Sequence, residues 1–288
     1  MKLLRFMIDG KTEIGILLRD RGIVSLTRHL ENVPTDLPAL LANWDIWHSK
    51  FQGILDQADA FDFVNYQLDE VRLLPPIGRP GKILGIGLNY ADHIAESGME
   101  RPAEQLWFMK GVTAVGGPAD PIPLPRVSEQ LDYEAELVIV IGRPCRYADD
   151  ESARAAIFGF CVGNDVSIRD WQFRTSQFLL GKSFDGHAIH GPWITTADEV
   201  DAGDLDIQAR VNGEVRQSSN THNLIFDAVA QIRYLSQVMT LEPGDLIFTG
   251  TPGGVGAGFK PPRWLKAGDQ VTVEIAGLGQ INNIVVAE

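Results

Sequence analysis

Hydrophobic and polar positions along the chain fall mainly into short extended patterns, with few stretches at helical spacing. Residues 2–8, 13–18 and 23–26 read as strands, and weakly helical stretches follow at 37–42 and 51–60. The three prolines of Leu74-Pro-Pro-Ile-Gly-Arg-Pro-Gly81 withhold three backbone donors and favour an extended connector. The expected organisation is a small N-terminal α+β domain at 1–73, a connector at 74–81 and a main domain at 82–288. In the main domain, strands are expected at 82–87, 105–109, 131–141, 158–165, 187–195, 205–216, 245–249 and 270–286. Val211-Asn-Gly-Glu-Val215 signals a hairpin, because Asn212-Gly213 readily takes the two positive φ angles of a type I′ turn. One long helix is expected at 223–239, where Leu224, Ala228, Ile232 and Leu235 recur at helical spacing and Pro243-Gly244 lies just beyond. Strands dominate and do not alternate regularly with helices, which argues against a doubly wound nucleotide-binding sheet. The expected class is α+β, mostly β.

Charge narrows the partners. Among 288 residues, 25 Lys and Arg face 38 Asp and Glu, a net charge of −13. Nucleic acid or an anionic membrane surface would require a cationic footprint, so neither is expected as the main partner. No stretch approaches the roughly 20 apolar residues of a membrane span. The opening MKLLRFMIDG interrupts its apolar residues too soon for a signal-peptide core, and two cysteines, Cys145 and Cys161, are too few for a disulfide framework. A cytoplasmic protein is expected.

Three glycine features invite a phosphate-binding reading, and each lacks a residue that chemistry requires. Gly85-Ile-Gly87-Leu-Asn-Tyr90 has Tyr where a dinucleotide fold needs its third glycine. Gly181-Lys182-Ser183 copies the end of a P-loop, whose first glycine would fall at Ser176. The loop Thr249-Gly-Thr-Pro-Gly-Gly-Val-Gly-Ala-Gly258 has no Lys to face a phosphate, although its backbone N–H groups and the Thr251 hydroxyl could wall a site for a small anion.

The most informative segment is Leu131-Asp-Tyr-Glu-Ala-Glu-Leu-Val-Ile-Val-Ile141. It ends in an unbroken apolar run, the mark of a strand covered on both faces, and strand periodicity puts Glu134 and Glu136 on one face just before it. Two such carboxylates repel and lose hydration, so at least one takes up a proton unless a cation neutralises them. Asp165 ends another apolar stretch, and the three acids could form an oxygen cage for a hard ion, Mg²⁺ or Mn²⁺ with Ca²⁺ as a further option; Lys182 could balance excess negative charge. The plainer alternative leaves Glu134 and Glu136 on a solvated strand end and Asp165 capping a turn. For the Glu-Ala-Glu motif alone that alternative is the stronger, since most Glu are exposed.

From about Lys82 onward the chain resembles the fumarylacetoacetate hydrolase family. The likeness rests on six blocks in order: Lys82-Ile-Leu-Gly-Ile-Gly-Leu-Asn-Tyr-Ala-Asp-His93, Asp132-Tyr-Glu-Ala-Glu136, Gly163-Asn-Asp-Val-Ser-Ile-Arg-Asp170, Gly181-Lys-Ser-Phe-Asp185, Gly186-His-Ala-Ile-His-Gly-Pro192 and Asp245-Leu-Ile-Phe-Thr-Gly-Thr-Pro252. The resemblance implies a mixed, mostly β roll with the N-terminal residues as an accessory domain, and a homodimer. It implies Glu134, Glu136 and Asp165 as metal ligands, with Lys182 as the lysine beside the metal. Fumarylacetoacetate hydrolase proper has an Asp as a further metal-site acid where this chain carries Asn89. The Asn-Tyr-Ala-Asp-His form resembles the acylpyruvase branch, which argues against fumarylacetoacetate itself as the substrate.

His93 and Glu96 stand at i and i+3 in a segment that reads as a short helix ending at Gly98, so imidazole and carboxylate can meet. Such a pair alone is more often an exposed helix face; the acylpyruvase resemblance implies a catalytic dyad on a lid. The expected reaction is hydrolysis of a carbon–carbon bond in a 2,4-diketo acid, with pyruvate leaving as an enolate stabilised by the metal. Gln172 and Thr251 match substrate-contact positions of the family, and Lys110 is a further candidate to meet a substrate carboxylate. Rival expectations on the same site are decarboxylation of a β-keto acid such as oxaloacetate, and hydration or isomerisation of a 2-oxo-enoate. A rival of another class is a non-catalytic binding protein that inherited the fold.

Overall fold

A computed structural model of the chain describes residues 1–19, 22–61, 63–91 and 103–288. The N-terminal strands β1 (Lys2–Ile8), β2 (Lys11–Leu18) and β3 (Gly22–Ser25) form an antiparallel meander. The helices Leu37–Leu41 and Trp44–Ala60 follow, and β4 (Arg72–Leu74) returns to pair with β1. Next come β5 (Ile83–Gly87), β6 (Leu106–Lys110), and the short β7 (Val115–Gly116), β8 (Ile122–Leu124) and β9 (Leu131–Asp132). The central strands are β10 (Ala135–Ile141) and β11 (Ile157–Asp165), followed by the short β12 (Ser167–Ile168) and the long β13 (Ala188–Thr196). The chain closes with β14 (Asp206–Val211), β15 (Glu214–Asn220), the helix Ala228–Val238, β16 (Leu246–Phe248), β17 (Gln270–Ile275) and β18 (Gly279–Ala287).

A large mixed sheet runs β3-β2-β1-β13-β11-β10-β16-β5-β6, and a second sheet runs β15-β14-β17-β18-β8. The class is α+β, mostly sheet. Strand β10 lies at the centre because its residues are apolar on both faces. Ala135, Leu137, Ile139 and Ile141 pack with Ile207, Val273, Ile281 and others in the cluster between the two sheets. Val138 and Val140 point the other way, into a cluster with Leu3, Leu37, Leu40 and Phe51. The N-terminal segment thus shares a core with the main sheet and joins it through the β1–β13 register Lys2↔Thr195 and Leu3↔Ile194. Each fully buried aliphatic side chain contributes about 1.5–3 kcal/mol, and a slip of one residue would exchange the two faces of β10. The register of β10 against β11 is therefore firmly set. Among the described residues, no helix is long and apolar enough to cross a membrane.

The expected hairpin at Asn212-Gly213 forms, with φ of 52° and 82° at the two turn residues. Three expectations change in extent. Residues 131–141 divide into β9 and β10, because the Tyr133 N–H donates to its neighbour Asp132 Oδ1 (2.9 Å) and the Glu134 N–H to Asn164 Oδ1 (3.0 Å), so side chains take donors the ladder would use. Residues 270–286 are a hairpin rather than one strand, turned by Gly277 and Gly279 at φ of 76° and 97°. The long helix begins at Ala228, five residues later than its apolar spacing suggests, because Asp227 caps it by accepting the Ala230 N–H at 2.8 Å.

His187 and His190 on β13 are buried. The His187 Nε2–H donates to the Pro123 carbonyl (2.8 Å). His190 Nε2 accepts the Ile77 N–H (3.3 Å), and its Nδ1–H donates to the Ala188 carbonyl (3.3 Å). Accepting the Ile77 N–H requires a neutral His190 ring, and burial pushes the pKa of each histidine down from 6.5 to about 4.

Two outcomes follow for stability. The folded protein binds fewer protons than the unfolded chain at these two positions below pH 6.5, so stability is full above 6.5 and falls as the pH drops toward 4. Each imidazole is expected to withdraw about 2 kcal/mol between pH 7 and pH 5. Urea midpoints at the two pH values test this, and equal midpoints would dismiss it. Gly163 on β11 faces Val138 and Phe248 so closely that an added Cβ would overlap the Val138 side chain and lie 2.9 Å from the Phe248 ring. Gly163→Ala should cost about 1–3 kcal/mol by overpacking, read as a lower urea midpoint at unchanged slope.

Candidate active site

The β10–β11 register brings the three acids together. Ala135 pairs with Asn164, so Glu134 lies opposite Asp165, and the Asp165 N–H donates to the Glu134 carbonyl at 2.9 Å. Glu136 follows two residues on, with the strand alternation that separates Val138 from Leu137. One carboxylate oxygen from each of Glu134, Glu136 and Asp165 lies within 4.8 Å of the other two, and all three side chains are buried. Two oxygens bound to one ion at about 2.0–2.6 Å are at most about 4–5 Å apart, so the donor set and its spacing suit a hard divalent cation. The solvated strand end and turn cap of the plainer alternative do not occur.

Cations surround the acids unevenly. Lys182, from the short helix Leu179–Lys182, places Nζ 2.6 Å from Glu134 Oε2 and 2.7 Å from Asp165 Oδ2. Lys110, at the end of β6, pairs with Asp165 Oδ1 and donates to the Val166 carbonyl at 3.1 Å. Arg169 spans two acids, with Nε 2.8 Å from Asp132 Oδ2 and a terminal nitrogen 2.6 Å from Glu134 Oε1. Asp132 is itself buried, and it also accepts the N–H groups of Gly256 (2.7 Å) and Ala257 (3.0 Å). Among the described residues Glu136 has no such partner in contact. It accepts one neutral donor, the Gly250 N–H, at 2.8 Å.

The electrostatics follow from this inequality. Burial alone would raise the Glu134 pKa, but Lys182 and Arg169 outweigh it and hold the carboxyl at about 2. Burial, then Asp165 and Glu134, push Glu136 well above the ordinary carboxylate range. For Lys182, burial is outweighed by Asp165 and Glu134, which raise its pKa, whereas burial wins at Lys110 and lowers it. Of the three acids, Glu136 is the one whose charged form the described residues compensate least, Lys182 and the Gly250 N–H opposing the rise without cancelling it.

Glu134 and Glu136 form the floor of a cavity of about 400 Å³, with Asp165 buried behind them; its wall includes Arg169, Gln172, Lys182 and Thr251, with Leu106, Phe108, Phe173 and Phe178 among its apolar residues. Gln172 Oε1 accepts from Arg169 (2.9 Å). The Thr251 hydroxyl donates to the Ala135 carbonyl (2.9 Å) and accepts from Gln217 (2.8 Å). Lys110 departs from its expected place: its fully buried ammonium meets the carboxylate of Asp165, and it is not part of the cavity wall. Asn89 is occupied elsewhere, donating to the carbonyls of Phe226 (3.0 Å) and Thr249 (2.7 Å) and accepting the Phe226 N–H (2.8 Å). It stitches the end of β5 to two loops and adds no oxygen to the cage. His93 and Glu96 lie outside the described residues. Sequence reasoning missed Arg169 and Asp132 as members of the cluster; each stands at the edge of a block already singled out, but nothing in one chain shows that residues 37 positions apart form a pair.

Comparison with known proteins gives a consistent result. The family model described as fumarylacetoacetate (FAA) hydrolase C-terminal matches residues 82–286. The chain is 39% identical to the mitochondrial oxaloacetate tautomerase of Xenopus laevis, over 99% of this chain and 90% of that one. Its structure is similar to a fumarylacetoacetate hydrolase of Exiguobacterium antarcticum, with a TM-score of 0.84, 36% identity and 100% of both chains covered. It is also similar to a maleylpyruvate hydrolase of Sphingobium sp. SYK-6 in complex with manganese(II) and pyruvate, with a TM-score of 0.82, 31% identity and 100% and 99% of the two chains covered. With a match that spans most of its length and relatives alike along the whole of it, the chain belongs to the fumarylacetoacetate hydrolase family, whose members are enzymes.

Proposed function

We propose that this protein is a divalent-metal enzyme that acts on a 2-oxo acid through its enolate, and that its reaction is hydrolytic cleavage of a 2,4-diketo acid of the acylpyruvate type. The observation that carries this reading is the buried trio of carboxylates with one charge left uncompensated, because such a cluster is costly unless a cation completes it. Glu134, Glu136 and Asp165 would hold the ion, Mg²⁺ or Mn²⁺ by the hardness of the donors. When bound, the ion supplies Lewis-acid stabilisation of negative charge on the 2-oxo oxygen. The maleylpyruvate hydrolase complex with manganese(II) and pyruvate supports both the metal and the product.

The chain's own residues would divide the remaining work. His93, oriented by Glu96, takes a proton from water, whose oxygen attacks the 4-carbonyl carbon. The bond between carbons 3 and 4 then breaks, and its electron pair passes into the pyruvate enolate, which is protonated at carbon 3. Lys182 fixes the positions of Glu134 and Asp165 and adds positive potential where charge develops. Gln172 and Thr251, which line the cavity, would meet the substrate's polar groups.

A second reading is tautomerisation of oxaloacetate, favoured by the identity to the Xenopus tautomerase along the whole chain. It needs the same cage and enolate but breaks no carbon–carbon bond. Purified protein with Mg²⁺ or Mn²⁺ should release pyruvate from acetylpyruvate or fumarylpyruvate, followed by coupled assay. Loss of the oxaloacetate enol absorbance without pyruvate release would favour the tautomerase, and inertness toward all three would leave a binding protein. His93→Ala should lower cleavage roughly 10²–10⁴-fold while Mn²⁺ binding by calorimetry stays intact.

The cage itself makes a separate prediction. Glu136→Gln keeps an acceptor for the Gly250 N–H and removes the uncompensated charge, so without metal the variant should melt above wild type. Mn²⁺ at a hundredfold its wild-type Kd should stabilise wild type by about 2.7 kcal/mol and the variant by far less. Equal metal-induced shifts in the two proteins would remove Glu136 from the ligand set.

A further inference from the structure

Among the described residues three cations line the cavity, and two are committed. Arg169 is engaged by Asp132, Glu134 and Gln172, and Lys182 by Glu134 and Asp165. The third, Lys260, is exposed and forms no ion pair or hydrogen bond among the described residues. Glu134 and Glu136 at the floor are buried while Lys260 is exposed, which puts it at the rim. Its backbone is nonetheless held on both sides. The Gly256 and Ala257 N–H groups are tied to Asp132, the Arg263 N–H donates to the Gly256 carbonyl at 2.9 Å, and the Arg263 guanidinium packs 4.7 Å from the Phe259 ring while pairing with Glu214 at 2.9 Å. Asp132 thereby couples the loop that carries Lys260 to Arg169 and the cage.

The lining changes in character from floor to rim. The floor suits a chelating 2-oxo acid, the half-buried Phe108 and Phe178 above it suit a carbon chain, and the rim, where Leu106 and Phe173 are also exposed, offers one cation without a partner among the described residues. A chain of net charge −13 repels anions at long range, so an anionic tail needs a local counter-charge to be held. We infer that Lys260 is a specificity-determining residue that binds a second anionic group, a carboxylate at the far end of the substrate, and so selects dianionic 2-oxo acids over those with neutral tails. This inference rests on the 2-oxo acid reading of the cage.

The test compares Lys260→Met, which keeps length without charge, and Lys260→Arg, which keeps charge, with wild type, after circular dichroism melts show that all three fold. With Mn²⁺ present, the ratio of kcat/KM for fumarylpyruvate to that for acetylpyruvate should fall roughly fivefold to tenfold in Lys260→Met, the range set by one charge-assisted contact, and recover to within about twofold in Lys260→Arg. Calorimetry supplies a readout free of turnover: the Mn²⁺-loaded wild type should bind 2-oxoadipate more tightly than 2-oxohexanoate, and Lys260→Met should lose that preference. Equal wild-type affinity for the two acids, or a preference that survives Lys260→Met, overturns the inference whether or not either diketo acid is cleaved. Failure of the wild type to bind either acid overturns both this inference and the reading beneath it.

Discussion

Burying the carboxylates of Glu134, Glu136 and Asp165 side by side costs far more than leaving them in water, and the way that cost is offset fixes what surrounds them. Lys182 bridges Glu134 and Asp165, Lys110 takes the other oxygen of Asp165, and Arg169 takes the other oxygen of Glu134 while it is itself balanced by Asp132. Among the described residues, every one of these groups except Glu136 has an opposite charge in contact. The asymmetry is specific: the protein compensates four acids with three bases and leaves the remainder to one neutral N–H from Gly250. A fold that merely tolerated buried acids would have no reason to gather them within 4.8 Å.

This arrangement depends on the layers around it. Glu134 faces Asp165 only because β10 and β11 hold one register, and that register is enforced by different partners on the two faces of β10. The second sheet covers Leu137, Ile139 and Ile141, while Leu3, Leu37, Leu40 and Phe51 of the N-terminal segment cover the side of Val138 and Val140. The N-terminal residues add no side chain to the cage. Their contribution is to bury the apolar continuation of the face from which Glu136 projects, so a strand that begins with acids can lie at the centre of the sheet.

The strands were legible in the sequence because they follow from local alternation, an apolar run marking a central strand; spacing two puts Glu134 and Glu136 on the same side, but it was the resemblance to the family, not alternation, that joined Asp165 to them. Boundaries were less legible where side chains compete for backbone hydrogen bonds. Asp132 and Asn164 take donors that would have continued β9 into β10, and Asp227 starts a helix that apolar spacing alone begins too early. The counter-charges were legible only in part. Lys182 sits in a motif, but Lys110 reads as a cation available to substrate, and only the tertiary contact with Asp165 shows that it is spent inside the protein. Arg169 and Asp132 are a pair that no period of either strand or helix connects.

The same limit bears on function. Cleavage of a diketo acid and tautomerisation of oxaloacetate both place negative charge on the oxygen of a 2-oxo acid, so residues that hold and balance a metal serve both equally. Relatives that share the fold with this chain carry the names of a tautomerase and of hydrolases. The reaction must then be decided by groups outside the cage: those that supply or remove protons, and those that fix how far the substrate extends from the metal. On the reading proposed above, the apolar wall and the loop anchored by Asp132 would set the second of these, and Asp132 ties that loop to the cage through Arg169. Electrostatic balance at the floor and the proposed selection at the rim would then be linked through one buried carboxylate.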